Sequence, residues 1–420
     1  MRILFLHEVN YLEKPIFEMH EFPEHLAALG HDVGFVQFPE GLSSSEVGAL
    51  GWKAKVPGRV LPSQNLTLYT PQNAAGNLLG RLKTALTFKR SFASVVKDFR
   101  PDVVVSFSVP TSGWQALAVC KKLRTPFVFR ALDVSHLIRK SVFSRLILSA
   151  EKFIYQNASA VSANNPAMAD YCLTMGSAPA RTFVDLPPID LSHFAAGLSQ
   201  RDQVRSKLGI AAESKVILYM GSFFYFSGLP QLVDEFARSA QDDKVLVLVG
   251  GGEQDQELRQ QVAKMGLTKK VIFTGFVGFN ELPSYLAAAD VAVNSMQSSL
   301  VSNAAFPNKV IQYLATGLAV ATTRLEGLEL TFGDVPGIRY SETPEQVMRD
   351  ALDISSSPEL NELGKSNQEL VAEKFSKVEA VKAFETRLRG VVQHNDQGSC
   401  PWFHRNVGFS GGRSAERLKI

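Results

Sequence analysis

At 420 residues the chain is long enough for two domains, each burying its own core, and with 45% hydrophobic and 20% charged residues it has the make-up of a soluble globular protein. A net charge of +3 is too small to argue for a nucleic-acid partner. The three cysteines, Cys120, Cys172 and Cys400, form no CxxC pair and no metal-ligand spacing, which fits a reducing compartment.

Residues 1–6 read as a first strand, because a signal peptide needs a longer apolar run and a small-residue cleavage site. No window reaches the ~18 uninterrupted apolar residues of a membrane span. The chain is therefore expected in the cytoplasm, with the inner face of a membrane left open as a docking place. Apolar runs at 33–36, 103–105, 127–129, 160–161 and 182–184 predict further strands. Helical periodicity predicts helices over 22–29, 82–99, 114–123, 137–155 and 166–174. Continuous apolar strands are buried on both faces, the mark of a parallel sheet, and their alternation with helices predicts right-handed βαβ units. Residues 39–64, rich in Gly, Pro and Ser, predict an irregular insertion. His7 closes the first strand beside Glu8 and Asn10, as an acceptor or sugar contact or equally as a structural histidine. His20, His25 and His31 are expected at the surface.

Leu186-Pro187-Pro188-Ile189-Asp190 stops regular structure and stiffens the chain. A second series follows, with strands at 216–220, 245–249, 271–274, 291–294, 318–321 and 338–340. Its helices are expected at 229–240, 255–265, 282–288, 307–315 and 344–354. The expected fold class is α/β, with two Rossmann-like, doubly wound halves facing each other across a cleft. The expected boundaries are 1–188 for an acceptor-side domain and 189–376 for a nucleotide-sugar-binding domain. A helix over 377–392 is expected to pack back toward the first domain, and 393–420 to be a mobile tail.

Three segments of the second half carry candidate chemistry. Gly221-Ser222-Phe223-Phe224-Tyr225-Phe226-Ser227-Gly228 joins a strand to a helix, where glycines admit close approach and the helix start favours a phosphate. A plain strand–helix turn is an equal alternative. Gly250-Gly251-Gly252-Glu253 also ends a strand, and ligand proximity is favoured there over a merely flexible connection. In the third, Pro307 suits a helix start and Gly317 its end. Asn308 and Gln312 are four apart and share one face, with Lys309 adding charge, unless this is only a solvated first turn.

As a set, Val249-Gly250-Gly251-Gly252-Glu253, Val271-Ile272-Phe273-Thr274-Gly275-Phe276 and the stretches 282–293 and 306–321 resemble the donor domain of the retaining, nucleotide-sugar-dependent glycosyltransferases of family four, which have the GT-B fold. Leu29-Gly30-His31-Asp32-Val33, Arg100-Pro101-Asp102-Val103-Val104 and residues 158–162 resemble its acceptor domain more loosely. The resemblance implies a hexosyltransferase-type enzyme, with a UDP- or GDP-sugar as co-substrate, retention of configuration and no metal or other cofactor. It implies that Gly275, Phe276 and Val277 meet the base, Gln312 the ribose, and the amides of Ala305 and Phe306 the diphosphate. The sequence departs from the family at several positions. Ser222 and Ser227 stand where the family has Arg and Lys, Ala304 and Gln312 where it has two glutamates, and Leu132, before Asp133, where it has histidine. Lys309 is the best local replacement cation, with Arg130, Arg324 and His136 as further candidates. His7, Asp133 and Lys309 are the candidate catalytic residues.

Basic residues interleave with apolar ones along two predicted helices: Lys83, Lys89 and Arg90 with Leu86 and Phe88, and Arg139, Lys140 and Arg145 with Phe143 and Leu146. Such helices suit an anionic membrane surface, or simply a core face with a solvated face. The expected function is sugar transfer to a glycan, lipid-linked or other acceptor in polysaccharide or glycoconjugate synthesis. The alternative is a catalytically impaired binding or scaffold protein on the same fold, favoured by the departures just named. A nicotinamide-dependent dehydrogenase needs GxGxxG after the first strand, and Leu6-His7-Glu8-Val9-Asn10 has no glycine.

Overall fold

A computed structural model describes residues 1–38, 48, 51–71, 78–107, 109, 111–138 and 143–396, without the side chains of 78–82, 84 and 396. Cys400, Arg139, Lys140, most of 39–50 and the tail beyond 396 lie outside the described residues.

The first lobe holds β1 (Arg2–Leu6), β2 (Asp32–Val36), β3 (Lys53–Pro57), β4 (Asn65–Tyr69), β5 (Val103–Ser106), β6 (Phe127–Ala131), β7 (Ala160–Ala163) and β8 (Thr182–Val184). They form one sheet in the order β3-β4-β2-β1-β5-β6-β7-β8, parallel except for β3 against β4. Its helices are α1 (Glu18–Ala28), α2 (Leu78–Phe99), α3 (Gly113–Leu123), α4 (Ser144–Asn157) and α5 (Pro166–Thr174).

The second lobe holds β9 (Lys215–Ser222), β10 (Lys244–Gly251), β11 (Val271–Gly275), β12 (Val291–Asn294), β13 (Ala319–Thr323) and β14 (Ile338–Ser341). Its order is β11-β10-β9-β12-β13-β14, parallel throughout. The helices that matter below are α6 (Leu229–Ser239), α7 (Leu300–Ala304), α8 (Asn308–Thr316), α9 (Glu326–Phe332) and α10 (Lys377–Asp396). Strand order reverses beside β1 in one sheet and beside β9 in the other, and crevices open at such switch points.

Three sequence expectations are corrected. Residues 39–64 are not wholly irregular, because β3 lies inside that stretch and pairs antiparallel with β4. Its segment Lys-Ala-Lys-Val-Pro is only partly buried, as befits an edge strand, and so carries no apolar run. The long helix expected over 137–155 is broken into a turn at Ser135–Ile138 and α4. Short helices at Leu191–Ala196, Arg201–Lys207, α7 and α9 were not anticipated, being too short to display a period. Two of the histidines expected at the surface are buried: His20, bonded to the Tyr11 carbonyl at 2.9 Å, and His31, paired with Glu385 at 2.9 Å.

The chain crosses between lobes twice. Ile189 donates its amide to the Phe375 carbonyl at 3.3 Å, and Lys377 pairs with Asp190 at 2.6 Å. Beyond this link α10 returns to the first lobe. Phe384 packs on Phe22 with ring centroids 4.5 Å apart, and Val381, Leu388 and Val391 join the core of Ile3 and Phe5. Arg387 fixes the helix by pairing with the buried Asp185 at 2.9 Å. The lobes touch again where Asn165, at the start of α5, donates to the Ala304 carbonyl at 2.9 Å.

Because Phe384 is fully buried, Phe384→Ala should cost about 3–5 kcal/mol in urea unfolding. An unchanged midpoint would mean that α10 is no part of the first lobe's core.

Candidate active site between the lobes

The carboxyl edge of the second sheet is built by glycines. Gly221 pairs with Gly250, and Ser222 with Gly251. A Cβ on Gly250 (φ 130°) would lie 2.0 Å from the Gly221 carbonyl oxygen, and one on Gly252 (φ 151°) 2.9 Å from the Phe223 amide nitrogen. These two glycines therefore serve the approach of β9 and β10 to each other. The expectation that a ligand explains them is corrected on that ground. Gly251 touches Phe276, where a Cβ would meet the ring at 3.2 Å, and Glu253 is exposed just beyond.

Ser227 is buried. Its hydroxyl donates to the Ser222 carbonyl at 3.1 Å and accepts from the Phe224 amide at 3.2 Å, closing the turn. Gly228 (φ 67°) follows, packed against the Ser295 carbonyl. At Gly221 (φ 136°) a Cβ would fall 3.0 Å from the ammonium of Lys309, so the missing side chain leaves room for a cation.

That ammonium donates to the Tyr219 hydroxyl at 3.0 Å and sits 4.2 Å from the ring centroid. Tyr219 in turn donates to the Ser222 carbonyl at 3.1 Å. Tyr313, one turn further along α8, accepts from the Met220 amide at 2.7 Å. The start of α8 is thus clamped to the end of β9. The other candidate cations are committed elsewhere. Arg130 is fully buried and paired with Glu18, Arg324 pairs at the surface with Glu329 and Glu342, and His136 pairs with Glu151.

Asn308 and Gln312 project from one face of α8 into a cavity of about 180 Å³. Its other walls include Phe17 and Glu21 from the first lobe, Pro188 from the link, and Phe279. The buried Oδ1 of Asn308 has no hydrogen-bond partner among the described residues. Burial, together with the charges of Glu18 and Asp190, pushes the Glu21 carboxyl up to about 8, so it carries a proton at neutral pH.

One expectation about the diphosphate contacts fails. The Ala305 amide is already donated to the Val301 carbonyl at 2.9 Å. The Phe306 ring stacks on Phe332 and Phe375 in the core, while its amide has no acceptor among the described residues. Gly275 (φ 74°) turns the chain after β11, which leaves Phe276 74% exposed and Val277 half-buried against the core.

Across the cleft, His7 and Asp133 lie just past the carboxyl ends of β1 and β6. His7 stacks on Phe107 at 5.6 Å, edge-on to Phe17. Burial and the Lys14 charge lower its pKa to about 3, so the ring is neutral. Asp133 is open to solvent yet enclosed by surrounding chain. That enclosure and the Glu18 charge raise its carboxyl to about 6. Glu8 accepts from the amides of Thr111 and Ser112 at 2.8 and 2.6 Å, so it fills the helix start that would otherwise hold an anion.

The structure therefore gathers Gly221, Gly250, Gly251, Phe276 and Lys309 at one edge, with Asn308 and Gln312 around the corner of α8. Tyr219 and Glu21 were missed from the sequence. Tyr219 lies inside an apolar strand, and Glu21 looks like any solvated helix residue. Among the described residues no group of His, Cys, Asp and Glu is placed to hold a metal, and no helix is long and apolar enough to cross a membrane.

Residues 214–354 match the family described as Glycosyl transferases group 1, and residues 19–185 match the Glycosyl transferase 4-like domain. The chain is 26% identical over 280 residues to TuaC of Bacillus subtilis, a glycosyltransferase assigned to teichuronic acid biosynthesis, spanning 65% of this chain and 67% of that one. It is 27% identical over 320 residues to the 2-deoxystreptamine N-acetyl-D-glucosaminyltransferase of Streptomyces fradiae, covering 71% of each. Among solved structures, the sucrose-phosphate synthase of Thermosynechococcus elongatus superposes with a TM-score of 0.75 at 19% identity, over 93% of this chain and 99% of that one. HepE of Anabaena, in complex with UDP and glucose, superposes with a TM-score of 0.71 at 18% identity, again over 93% and 99%. The architecture is the GT-B fold. The chain belongs to the group 1 glycosyltransferases and is an enzyme of that class.

The raised Glu21 carboxyl has a consequence for stability. The folded state holds a proton that the unfolded chain releases above its ordinary 4.5, so this residue lowers stability as pH rises toward 8. Glu21→Gln should be more stable than the parent by about 1 kcal/mol or more near pH 8, and equal to it near pH 4. Parallel unfolding curves at both pH values would show a constant difference if Glu21 ionises normally.

Proposed function

We propose that the protein moves a hexosyl group from a UDP- or GDP-sugar to a glycan, lipid-linked or other acceptor, with retention of anomeric configuration, in the synthesis of a surface polysaccharide or glycoconjugate. The observation that carries this is the Lys309 ammonium held beside Gly221 at the start of α8. A diphosphate seated there meets a cation, the unpaired Phe306 amide and the positive end of the α8 dipole. Gln312 offers an amide to ribose hydroxyls, and the exposed Phe276 beside Gly275 and Val277 offers a ring for the base to stack on. Gly251 keeps that ring close. Ser222 and Ser227 hold the turn where the family resemblance puts Arg and Lys, so Lys309 is the main charge for the leaving group.

In the reaction an acceptor oxygen bonds to the anomeric carbon on the same face from which the diphosphate leaves, the carbon–oxygen bond to the diphosphate breaks, and the acceptor's proton passes to a nearby base, which keeps the configuration. Lys309 and the helix start stabilise the charge that gathers on the departing diphosphate. Asp133, with its pKa of about 6, is the acceptor-side group suited to take the proton, while His7, lowered to about 3, stays neutral and is suited only to hydrogen-bond the acceptor. The HepE complex with UDP and glucose, on the same fold, supports a nucleotide-sugar donor. The relatives named are enzymes, which gives the scaffold alternative no support.

Calorimetry with common UDP- and GDP-sugars should detect binding of at least one, and Gln312→Ala should weaken it about tenfold. Absence of binding to every one of them would end the proposal. Inversion at the anomeric carbon of the product, read by proton NMR, would end the retaining part.

A further inference from the structure

We propose that the layer formed by α2, α3 and α4 on the first lobe docks on an anionic lipid surface, with its apolar rim beside the mouth of the cleft. The first observation is the distribution of charge. Residues 47–150 hold 16 Lys and Arg against three acids, Asp98, Asp102 and Asp133, whereas the remaining residues hold 28 basic against 38 acidic. The basic excess is therefore concentrated in the segment of sequence that carries α2, α3 and the start of α4.

The second observation is topological. The steps β4 to β5, β5 to β6 and β6 to β7 run the same way along the sheet, so right-handed crossovers put α2, α3 and α4 on one face. The step β1 to β2 runs the other way, and α1 lies on the opposite face with α10. Each of these crossover helices starts at the carboxyl edge of the sheet, which borders the cleft. Gln115 on α3 bonds the Ala85 carbonyl of α2 at 2.9 Å, tying two of those starts together.

The third observation is what the layer leaves uncovered. Leu86 is 84% exposed, Phe143 53% and Leu146 68%, and Trp114, Leu137 and Ile138 are also exposed. Leu86, Trp114 and Leu146 lie in the cleft-side halves of α2, α3 and α4, Phe143 directly precedes α4, and Leu137 and Ile138 end the short turn after β6. Lys83, Lys89, Arg90, Arg145 and Lys152 are exposed around them. The one acid of α4, Glu151, is buried against His136 and Tyr171 and puts no charge on the outer face.

Single large side chains ringed by lysine and arginine suit a headgroup region, where the rings and aliphatic tips enter and the basic stems reach phosphate. A protein partner fits less well, since the cores of protein interfaces are depleted of lysine. Docking in this pose brings the cleft mouth to the bilayer, within reach of an acceptor whose tail stays in the lipid. The surface stands independently of the donor proposal, because vesicle binding and nucleotide binding are read separately.

The test is co-sedimentation of the full chain with vesicles of phosphatidylcholine alone and of phosphatidylcholine mixed with phosphatidylglycerol. Binding is expected only to the mixed vesicles, weakening as salt rises. The triple change Lys83→Glu, Arg145→Glu and Lys152→Glu should lower the partition coefficient about a hundredfold or more. Leu146→Glu should lower it less, and Lys264→Glu, on the other lobe, not at all. A urea-unfolding midpoint close to the parent's checks that each variant is folded. Equal binding to both vesicle types, no binding to either, or an undiminished triple variant would overturn the proposal. So would a concentration-dependent dimer that Leu146→Glu abolishes without any vesicle binding, since the face would then belong to a second copy.

Discussion

A lysine ammonium lodged above a tyrosine ring, at a point where the neighbouring strand has no side chain, is the contact on which this cleft depends. Lys309 reaches that point because Gly221 presents no Cβ and Tyr219 offers both a ring face and a hydroxyl. Positive charge close to its phosphates stabilises a nucleoside diphosphate as it leaves a sugar. Every other candidate cation considered is already paired or buried. In the proposed reaction one charge, backed by a helix start, carries a load that the resemblance would spread over more groups.

The rest of the fold serves to present that charge to a second surface. Both sheets are parallel, and both open their carboxyl edges toward the space between the lobes. Two chain crossings, with Lys377 on Asp190 and Arg387 on Asp185, keep the lobes in register. The Asn165 to Ala304 bond joins them again close to α8. Glu21 and Phe17 therefore stand opposite Asn308 and Gln312 in one cavity.

Much of this was legible in the sequence because buried parallel strands are written as unbroken apolar runs. β1, β2 and β5 to β14 were all anticipated, within a few residues of their ends. β3 and β4 both escaped: the edge strand β3 alternates lysine with small residues, and the buried β4, Asn-Leu-Thr-Leu-Tyr, has its apolar run broken by Thr67. The positions of Lys309, Asn308 and Gln312 on one helix followed from spacing alone. Their partners did not follow, because Tyr219 and Glu21 meet α8 only through contacts distant in sequence. The glycines at 250 and 252 mislead for a related reason. A residue without Cβ signals a close approach, and only coordinates reveal that the approach is by the Phe223 and Gly221 backbone.

The most direct test compares UDP with uridine, which differ only in the diphosphate, by calorimetry on the parent protein, Lys309→Ala and Lys264→Ala. The account predicts that the parent and Lys264→Ala bind UDP far more tightly than uridine. Lys309→Ala should lose about tenfold or more of that preference while binding uridine unchanged. A Lys309→Ala protein that keeps the full preference for UDP would contradict it, because the diphosphate would then be held by something other than the cation beside Gly221.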